Sequence, residues 1–331
     1  MIAKSTGLRE VSWRGIIKDY YVFAILAAFI ILFTAFSPKF IAPAGLSFII
    51  QNVAPLIVVA LPATLLLISG HIDLSVGSIL AFSGIMMAFF SRSGVPTWAA
   101  ILLVIPLALL CGWTNGLLVA RLKINSVVAT LVTSYILIGI AKLISGDTIP
   151  FVKGVQDDFG FIGRSKIGGV PVAIFFVIAA IIIFIILQKK SALGKYSFAI
   201  GGNREASTLA GLNTNRMIWI LYMIVGVSAG IGGCLLASNM GVGSALSGLG
   251  FEFDVIIAIL IGGTSFAGGE GSVVRSIVGA FIISVLAFGF NMMGIPSFYQ
   301  YIVKGGVLIA AVYIDKIIKE RINAEIQRSQ K

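Results

Sequence analysis

The stretch from Leu46 to Phe90 reads LSFIIQNVAPLIVVALPATLLLIS, then GH, then IDLSVGSILAFSGIMMAFF, and its only formally charged residue is Asp73. Each apolar run is long enough to cross about 30 Å of hydrocarbon as a helix. Glycines flank the polar residues between the runs, in a segment from Ser69 to Ser78. This pattern predicts two membrane helices with a break between them, lined by protein or by a water-filled cavity.

The rest of the chain continues the same pattern. Hydrophobic residues make up 58% and charged residues 11% of the 331 residues, and the mean hydropathy is +1.06, far outside the range of soluble proteins. Backbone amides in lipid must be satisfied within the segment, which favours helices. We expect an all-α, polytopic integral membrane protein with about ten transmembrane helices and broken or re-entrant segments. The predicted spans are 20–36, 46–69, 72–90, 97–120, 124–145, 170–188, 217–238, 253–266, 275–291 and 297–314.

Basic residues predict the orientation. Lys and Arg precede the first span, follow the fourth, fill the connection 189–217 and follow the last span. An even number of spans places all of these groups on the cytoplasmic side. We expect a cytoplasmic segment 1–19, a transmembrane domain 20–314 and a cytoplasmic tail 315–331, with residues 146–169 outside. The net charge of +11 is dispersed among loops, so it indicates topology and no nucleic-acid partner.

Three classes of membrane protein compete: a channel or proton-coupled carrier, an intramembrane enzyme, and the passive half of a pump. Coupled carriers use ionisable groups at membrane depth, yet the chain has a single histidine, His71, and few acids within spans. It has no H-E-x-x-H, no G-x-S-x-G and no nucleotide-binding G-x-x-x-x-G-K-[ST]. We therefore expect no catalytic residue, metal or cofactor, and a pump of this kind would need a separate ATPase.

We expect the docking site for such an ATPase to lie in the long cytoplasmic connection. Residues 201–211 predict a short helix, in which Asn203 is the N-cap, Glu205 complements the helix dipole and Gly211 is the C′ residue. Small side chains leave a surface that a partner can approach closely. An ordinary connector helix is the alternative. The predicted coupling residues are Asn203, Arg204, Glu205, Ala206, Ser207 and Gly211, with Ala210 on the same small surface.

Several motifs match a known family. Glu205-Ala206-Ser207-x-x-x-Gly211 resembles the E-A-A-x-x-x-G signature of ABC importer permeases. The chain is similar to the ribose and simple-sugar branch of that family from about residue 46 to its C-terminus. Two departures are His71, where Gly is usual, and Arg275-Ser276, where Gly-Thr is common. The further matching motifs are HIDLSVGS (71–78), NGLLV (115–119), AIGGN (199–203), IGGTS (261–265) and GGEGS (268–272).

The resemblance implies a permease subunit that imports a ribose-like monosaccharide across a bacterial inner membrane. Its implied partners are a cytoplasmic ATPase pair, a periplasmic or lipid-anchored substrate-binding protein, a second permease subunit and membrane lipid. A non-sugar polar solute, such as a furanosyl signalling molecule or a nucleoside, is the alternative cargo. A secondary carrier or channel is the more distant alternative.

Polar side chains in or beside the spans are the candidates for the substrate pathway, because an unpartnered polar group in lipid is costly. For Asp73 the alternative is a simple N-cap at the membrane surface. The pathway candidates are Asn52, His71, Asp73, Ser75 and Asn115.

Three further patterns have structural interpretations. Residues 262–272 form a second glycine-rich break that matches the first. Gly226-x-x-x-Gly230, with Gly232 and Gly233, predicts a face for close helix packing. Glu252 and Asp254 begin a span and complement its positive end, with a role toward incoming cargo as the alternative.

Overall fold

The computed structural model describes residues 13–146 and 156–329, and these residues are mostly helical. A 3₁₀ turn, Pro38–Ile41, links the first two helices, and a π-helical turn, Leu117–Arg121, extends α4. The helices are α1 (Trp13–Phe36), α2 (Pro43–Ile68), α3 (Val76–Arg92), α4 (Thr97–Gly116), α5 (Ser126–Ser145), α6 (Gln156–Phe159), α7 (Ala173–Lys190), α8 (Ala192–Gly202), α9 (Arg204–Leu209), α10 (Thr214–Met240), α11 (Phe251–Ile261), α12 (Val273–Met292) and α13 (Ser297–Ser329).

Seven helices among the described residues are long and apolar enough to cross a membrane: α2, α4 with its π-helical turn, α5, α7, α10, α12 and α13. The apolar part of α1, Tyr20–Phe36, and α3 are shorter. The predicted polytopic helical fold is therefore confirmed. The N-terminal residues 1–12 and the loop residues 147–155, to which the topology prediction also refers, lie outside the described residues.

Helix α11 is shorter than the predicted span. The sequence predicts a helical crossing at 253–266, whereas α11 covers only the 11 residues Phe251–Ile261. At 1.5 Å per residue it covers only about 16 Å, roughly half of the hydrocarbon thickness. The non-helical residues 241–250 precede α11 and run along α3, where Gly248 contacts Gly77. Glu252 and Asp254 lie in the first turn of α11, and Asp254 forms a 2.7 Å ion pair with Lys304 of α13.

A small hairpin departs from the all-α expectation. Strand β1 (Lys166–Ile167) pairs antiparallel with β2 (Val170–Pro171), in the register Lys166 to Pro171 and Ile167 to Val170. Gly168 and Gly169 form its turn, with φ of +58° and +83°. Positive φ at both central residues is what a two-residue type I′ hairpin turn requires, and Gly-Gly supplies it without steric cost.

The centre of the fold is α10, which packs against α2, α3 and α4. A β-carbon on Gly226 would lie 2.7 Å from the Ala108 carbonyl oxygen of α4, and one on Gly233 would overlap the Leu80 carbonyl oxygen of α3. Only glycine allows helix backbones to approach this closely. The predicted packing face is thus confirmed. By contrast, α5 and α7 keep many large apolar side chains exposed, as expected for helices that face lipid.

Candidate functional site

Three of the five predicted pathway residues form one buried cluster where α2 and α3 are interrupted. Asp73, Ser75 and Asn115 are at most 6% exposed. The Ser75 hydroxyl and backbone N–H both donate to Asp73 Oδ1, at 2.6 and 2.8 Å. The Asn115 side-chain amide donates to Ser75 Oγ at 2.7 Å and lies 3.4 Å from Asp73 Oδ2. Ser75 is the N-cap residue of α3, so Asp73 stabilises the turn before the helix rather than capping it from the membrane surface.

Two hydroxyl groups that the sequence did not single out complete this cluster. Thr130 Oγ1 of α5 accepts the Leu74 backbone N–H at 3.0 Å, and the Tyr222 hydroxyl of α10 donates to the Ile72 carbonyl at 2.9 Å. Both satisfy backbone groups that the interruption of the helix leaves free. Hydroxyl side chains occur throughout the spans, so no sequence pattern distinguishes these two. The break is thereby attached to α4, α5 and α10.

The other two pathway candidates lie apart from the cluster. Asn52 is exposed on α2, and its side-chain amide donates to the Phe48 carbonyl at 2.8 Å. His71 is buried, and its Nδ1 lies 2.9 Å from the Ser69 carbonyl oxygen. Burial, together with the nearby Arg204 guanidinium, lowers the pKa of His71 to about 4, so this ring is neutral at neutral pH. A role of the five residues in the substrate pathway stays a prediction.

The predicted coupling segment has the N-cap and the helix stop that its sequence predicts. The Asn203 side chain accepts the Ala206 backbone N–H at 2.9 Å, as an N-cap does, and Glu205 lies in the first turn of α9. Gly211 follows the helix with φ of +86°. The Gly211 and Leu212 amides donate to the Thr208 and Ser207 carbonyls at 3.0 and 3.1 Å, which is the hydrogen-bond pattern of a Schellman motif.

Two details of this segment differ from the sequence prediction. Gly201 and Gly202 end the preceding helix α8, so the short helix begins only at Arg204. Ser207 faces inward at 6% exposure, and its hydroxyl donates to the Asn203 carbonyl at 2.8 Å. Leu209, which the sequence analysis did not select, is 89% exposed beside the exposed Ala206 and Ala210. The outward surface of α9 is therefore more apolar than the small residues alone indicated.

Three glycine-containing segments meet beside the coupling segment, at what we term the glycine junction: Ile68–Gly70, Gly201–Gly202 and Gly268–Gly269. The Gly269 N–H donates to the Ile68 carbonyl at 2.8 Å. A β-carbon on Gly201 would overlap the Ile68 carbonyl oxygen and lie 2.5 Å from Gly269 N. The end of α2, the end of α8 and the second glycine-rich break are thus in direct backbone contact.

Residues 262–272 connect α11 to α12, and further hydrogen bonds hold this segment and the first residue of α12 in place. Gln188 Oε1, near the end of α7, accepts the Val273 N–H at 3.1 Å, and Asp315 of α13 accepts from the Ser265 hydroxyl at 3.1 Å. Arg275 Nε donates to the Gly262 carbonyl at 3.0 Å, at the C-terminal end of α11. A cation is favourable at the C-terminal end of a helix. Arg275, which stands where Gly is common in the family motif, therefore has a structural role here.

This arrangement of long apolar helices, a half-length helix and two glycine-rich breaks is that of a multi-pass membrane transport protein. Residues 45–312 match the family model described as the branched-chain amino acid transport system permease component. The match covers most of the chain, and the chain belongs to this family of permease components. The resemblance found in its motifs is thereby confirmed.

Curated relatives agree over nearly the whole length. The ribose import permease protein RbsC of Bacillus subtilis (strain 168) is 32% identical over 313 residues, which are 94% of this chain and 97% of that protein. The L-arabinose transport system permease protein AraH of Escherichia coli (strain K12) is 35% identical, over 91% of this chain and 92% of that protein. The D-allose transport system permease protein AlsC of the same strain is 32% identical, with the same two shares of 91% and 92%. No solved structure matches the chain.

Proposed function

We propose that this chain is the membrane-spanning subunit of an ATP-driven importer for a neutral monosaccharide. Two permease subunits, identical or different, form the pathway. A periplasmic or lipid-anchored binding protein delivers the cargo from outside, and a cytoplasmic ATPase pair drives the change of access. No residue of the chain itself performs catalysis in this proposal.

The observation that carries the proposal is the connection between α9 and the two breaks. The exposed face of α9, with Leu209 at its tip, is a surface for a soluble partner. The end of α8, which only Asn203 separates from α9, contacts both Ile68 and Gly269 through the glycine junction. A movement of α9 driven by ATP binding therefore acts on both interrupted regions together. A channel has no need of such an arrangement.

The cargo follows from the charges inside the helical region. Asp73 accepts a hydrogen bond from the Ser75 hydroxyl at 2.6 Å and a longer one from the Asn115 amide at 3.4 Å, and Asp254 is paired with Lys304 at 2.7 Å. Charged groups that already have partners are poorly suited to bind an ionic solute. A neutral sugar, with many hydroxyls and no charge, fits this environment better. The relatives named for ribose, arabinose and allose support the same class of cargo.

Location and orientation complete the proposal. We place the protein in the bacterial inner membrane, with segment 1–19, the coupling region 189–217 and the tail 315–331 in the cytoplasm. The hairpin of β1 and β2 then lies outside. Helix α13 has 33 residues and a length of about 50 Å, so it continues beyond the hydrocarbon as the first part of the cytoplasmic tail.

Docking is tested by a Leu209→Asp variant, with Leu246→Asp as the matched control at a leucine that is 64% exposed in the 241–250 segment. The ATPase that co-purifies with the tagged wild-type chain is expressed separately and titrated onto each variant in nanodiscs. Leu209→Asp should abolish binding, whereas the control should bind normally. Gly211→Val adds strain at a φ of +86°, at a cost of about 1 kcal/mol or more, and should weaken ATP hydrolysis coupled to uptake.

Cargo is tested in liposomes that contain the complete complex. Labelled ribose, arabinose and allose are compared with a labelled nucleoside, and a monosaccharide should be taken up in an ATP-dependent way. Uptake of the nucleoside alone would reassign the cargo. Saturable uptake by the purified chain without any ATPase would replace the importer with a carrier or channel.

A further inference from the structure

A polar cavity of about 430 Å³ opens beside α9, in the region that we place in the cytoplasm. The loop between α4 and α5, helix α9 and the start of α10 form its walls. Its polar lining residues are Lys123, Asn125, Arg204, Thr208, Thr214 and Asn215. None of the described residues that line it is acidic. The cavity is therefore basic, and it lies outside the break regions described above.

The two cations of this cavity are available to a ligand. Within the described part of the chain, neither Lys123 nor Arg204 has an ion-pair partner. Arg204 Nη2 donates to Asn215 Oδ1 at 3.0 Å, which holds the guanidinium at the cavity wall. The N-terminal ends of α5 and α10 border the cavity at Asn125 and Thr214 and add partial positive charge.

The backbone at Lys123 is strained. Its φ is +57°, the only positive φ among the described non-glycine residues. A left-handed conformation costs a residue with a β-carbon roughly 1–2 kcal/mol. Such strain concentrates at sites where function requires a particular geometry. Lys123 is also one of the residues that line the cavity.

We propose that this cavity binds a carboxylate side chain of the ATPase subunit, as a second contact beside the apolar face of α9. This inference rests on the proposed function. Arg204 and Thr208 are four residues apart, so they lie on one side of α9, while Ser207 faces inward and Leu209 outward. Leu209 directly follows Thr208 of the cavity wall, so a partner seated on Leu209 lies beside the cavity. Charge complementarity then selects an acidic residue on that partner.

The contact would make the loop between α4 and α5 part of the coupling path. Asn125 and the π-helical turn connect this loop to α5 and α4, which carry Thr130 and Asn115 of the buried cluster. The ATPase would then act on the fold at two places. One is the glycine junction, through α8, and the other is the base of the α4 and α5 pair.

Carbodiimide cross-linking of the complex tests the contact directly, because this reagent joins a lysine amine to a carboxylate without a spacer. Lys123 should be joined to an aspartate or glutamate of the ATPase, as identified by mass spectrometry. Lys195, an exposed lysine of α8 outside the cavity, is the control and should not form this link. Failure of Lys123 to cross-link, with α9 docked normally, would overturn the proposal.

Binding measurements separate the contact from folding. Lys123→Gly removes the charge and also relieves the left-handed strain, so it should be at least as stable as the wild type but bind the ATPase about tenfold more weakly. Lys123→Arg should bind normally, as should Lys195→Gln. Added salt should weaken the wild type more than Lys123→Gly. Full-strength binding by Lys123→Gly would refute the cavity contact.

Two outcomes would refute the contact between the cavity and the ATPase. If Lys123→Gly binds normally while Leu209→Asp abolishes binding, α9 docks the ATPase and the cavity plays no part. If the defect of Lys123→Gly appears only in nanodiscs with anionic phosphatidylglycerol and is absent in neutral phosphatidylcholine, the cavity holds a lipid headgroup and the proposal is wrong. Normal ATPase binding by both variants would overturn the proposed function as well.

Discussion

Replacing Gly201 with alanine should uncouple ATP hydrolysis from transport while the complex still assembles. Gly201 ends α8 at the glycine junction, where its missing side chain lets the Ile68 carbonyl approach the backbone. The added methyl would overlap that oxygen and lie 2.5 Å from Gly269 N. Ordinary contacts of a β-carbon begin near 3.4 Å, so the ends of α2 and α8 must separate.

The size of the effect follows from the contacts that are lost. Forcing a methyl into a closed backbone contact costs about 1–3 kcal/mol. Loss of the 2.8 Å hydrogen bond from Gly269 to Ile68 adds about 0.5–1.5 kcal/mol. The higher helix propensity of alanine returns roughly 0.5–1 kcal/mol. The net destabilisation of the junction is thus about 0.5–4 kcal/mol, enough to separate it in a sizeable fraction of molecules.

Gly202→Ala is the matched control. It makes the same substitution one residue later, at a position where a β-carbon meets nothing within 4 Å. The assay compares ATP hydrolysis and cargo uptake by the reconstituted complex. Gly201→Ala should hydrolyse ATP with little uptake, and Gly202→Ala should resemble the wild type. Equal uptake by the two variants would refute the role assigned to the glycine junction.

Three other perturbations test separate parts of the structure. Asn115→Leu removes the 2.7 Å hydrogen bond to Ser75 at a cost of about 1–3 kcal/mol, and uptake per assembled complex should fall; unchanged uptake would contradict a pathway role. The pKa of His71 is about 4 in the folded chain and near 6.5 in the unfolded chain, so its contribution to stability should be full above pH 6.5 and fall by up to about 3 kcal/mol as the pH drops to 4. Melting curves of His71→Gln should lack this contribution to the pH dependence. A cysteine at Lys166 should react with an impermeant reagent from outside and one at Asn203 should not; the reverse in sealed right-side-out vesicles would invert the topology.

Much of the architecture was predictable because lipid imposes one requirement on every segment. A run of about 20 apolar residues must form a helix, and Gly226 and Gly233 mark where helices touch. The length of α11 is not predictable from hydropathy, because hydropathy records where apolar residues lie and not which of them form a helix. Residues 241–250 are glycine-rich and only weakly polar, and they reach Gly77 without forming a helix. Only tertiary contacts reveal that path.

The sequence predicted those parts of the candidate site whose hydrogen bonds join residues close together in the chain. The cap at Asn203 and the helix stop at Gly211 depend on residues within one turn, so the motif was sufficient to identify them. The direction of Ser207 depends on how α9 sits against the rest of the chain, which the motif does not contain. The contact between Thr130 and Leu74 joins residues 56 positions apart, beyond the reach of any local pattern.

The glycine junction and the buried cluster lie at opposite ends of the break between α2 and α3. The glycine junction holds Ile68, at the end of α2, against α8 and the second break. The buried cluster holds Asp73 and Ser75, at the start of α3, against α4, with further bonds to α5 and α10. Residues 69–72 connect these two attachments within the break, while α2 also packs against α10. A displacement of α8 therefore reaches the end of α2 and the loop before α12 through direct backbone contacts, and it reaches the start of α3 through residues 69–72, beside His71.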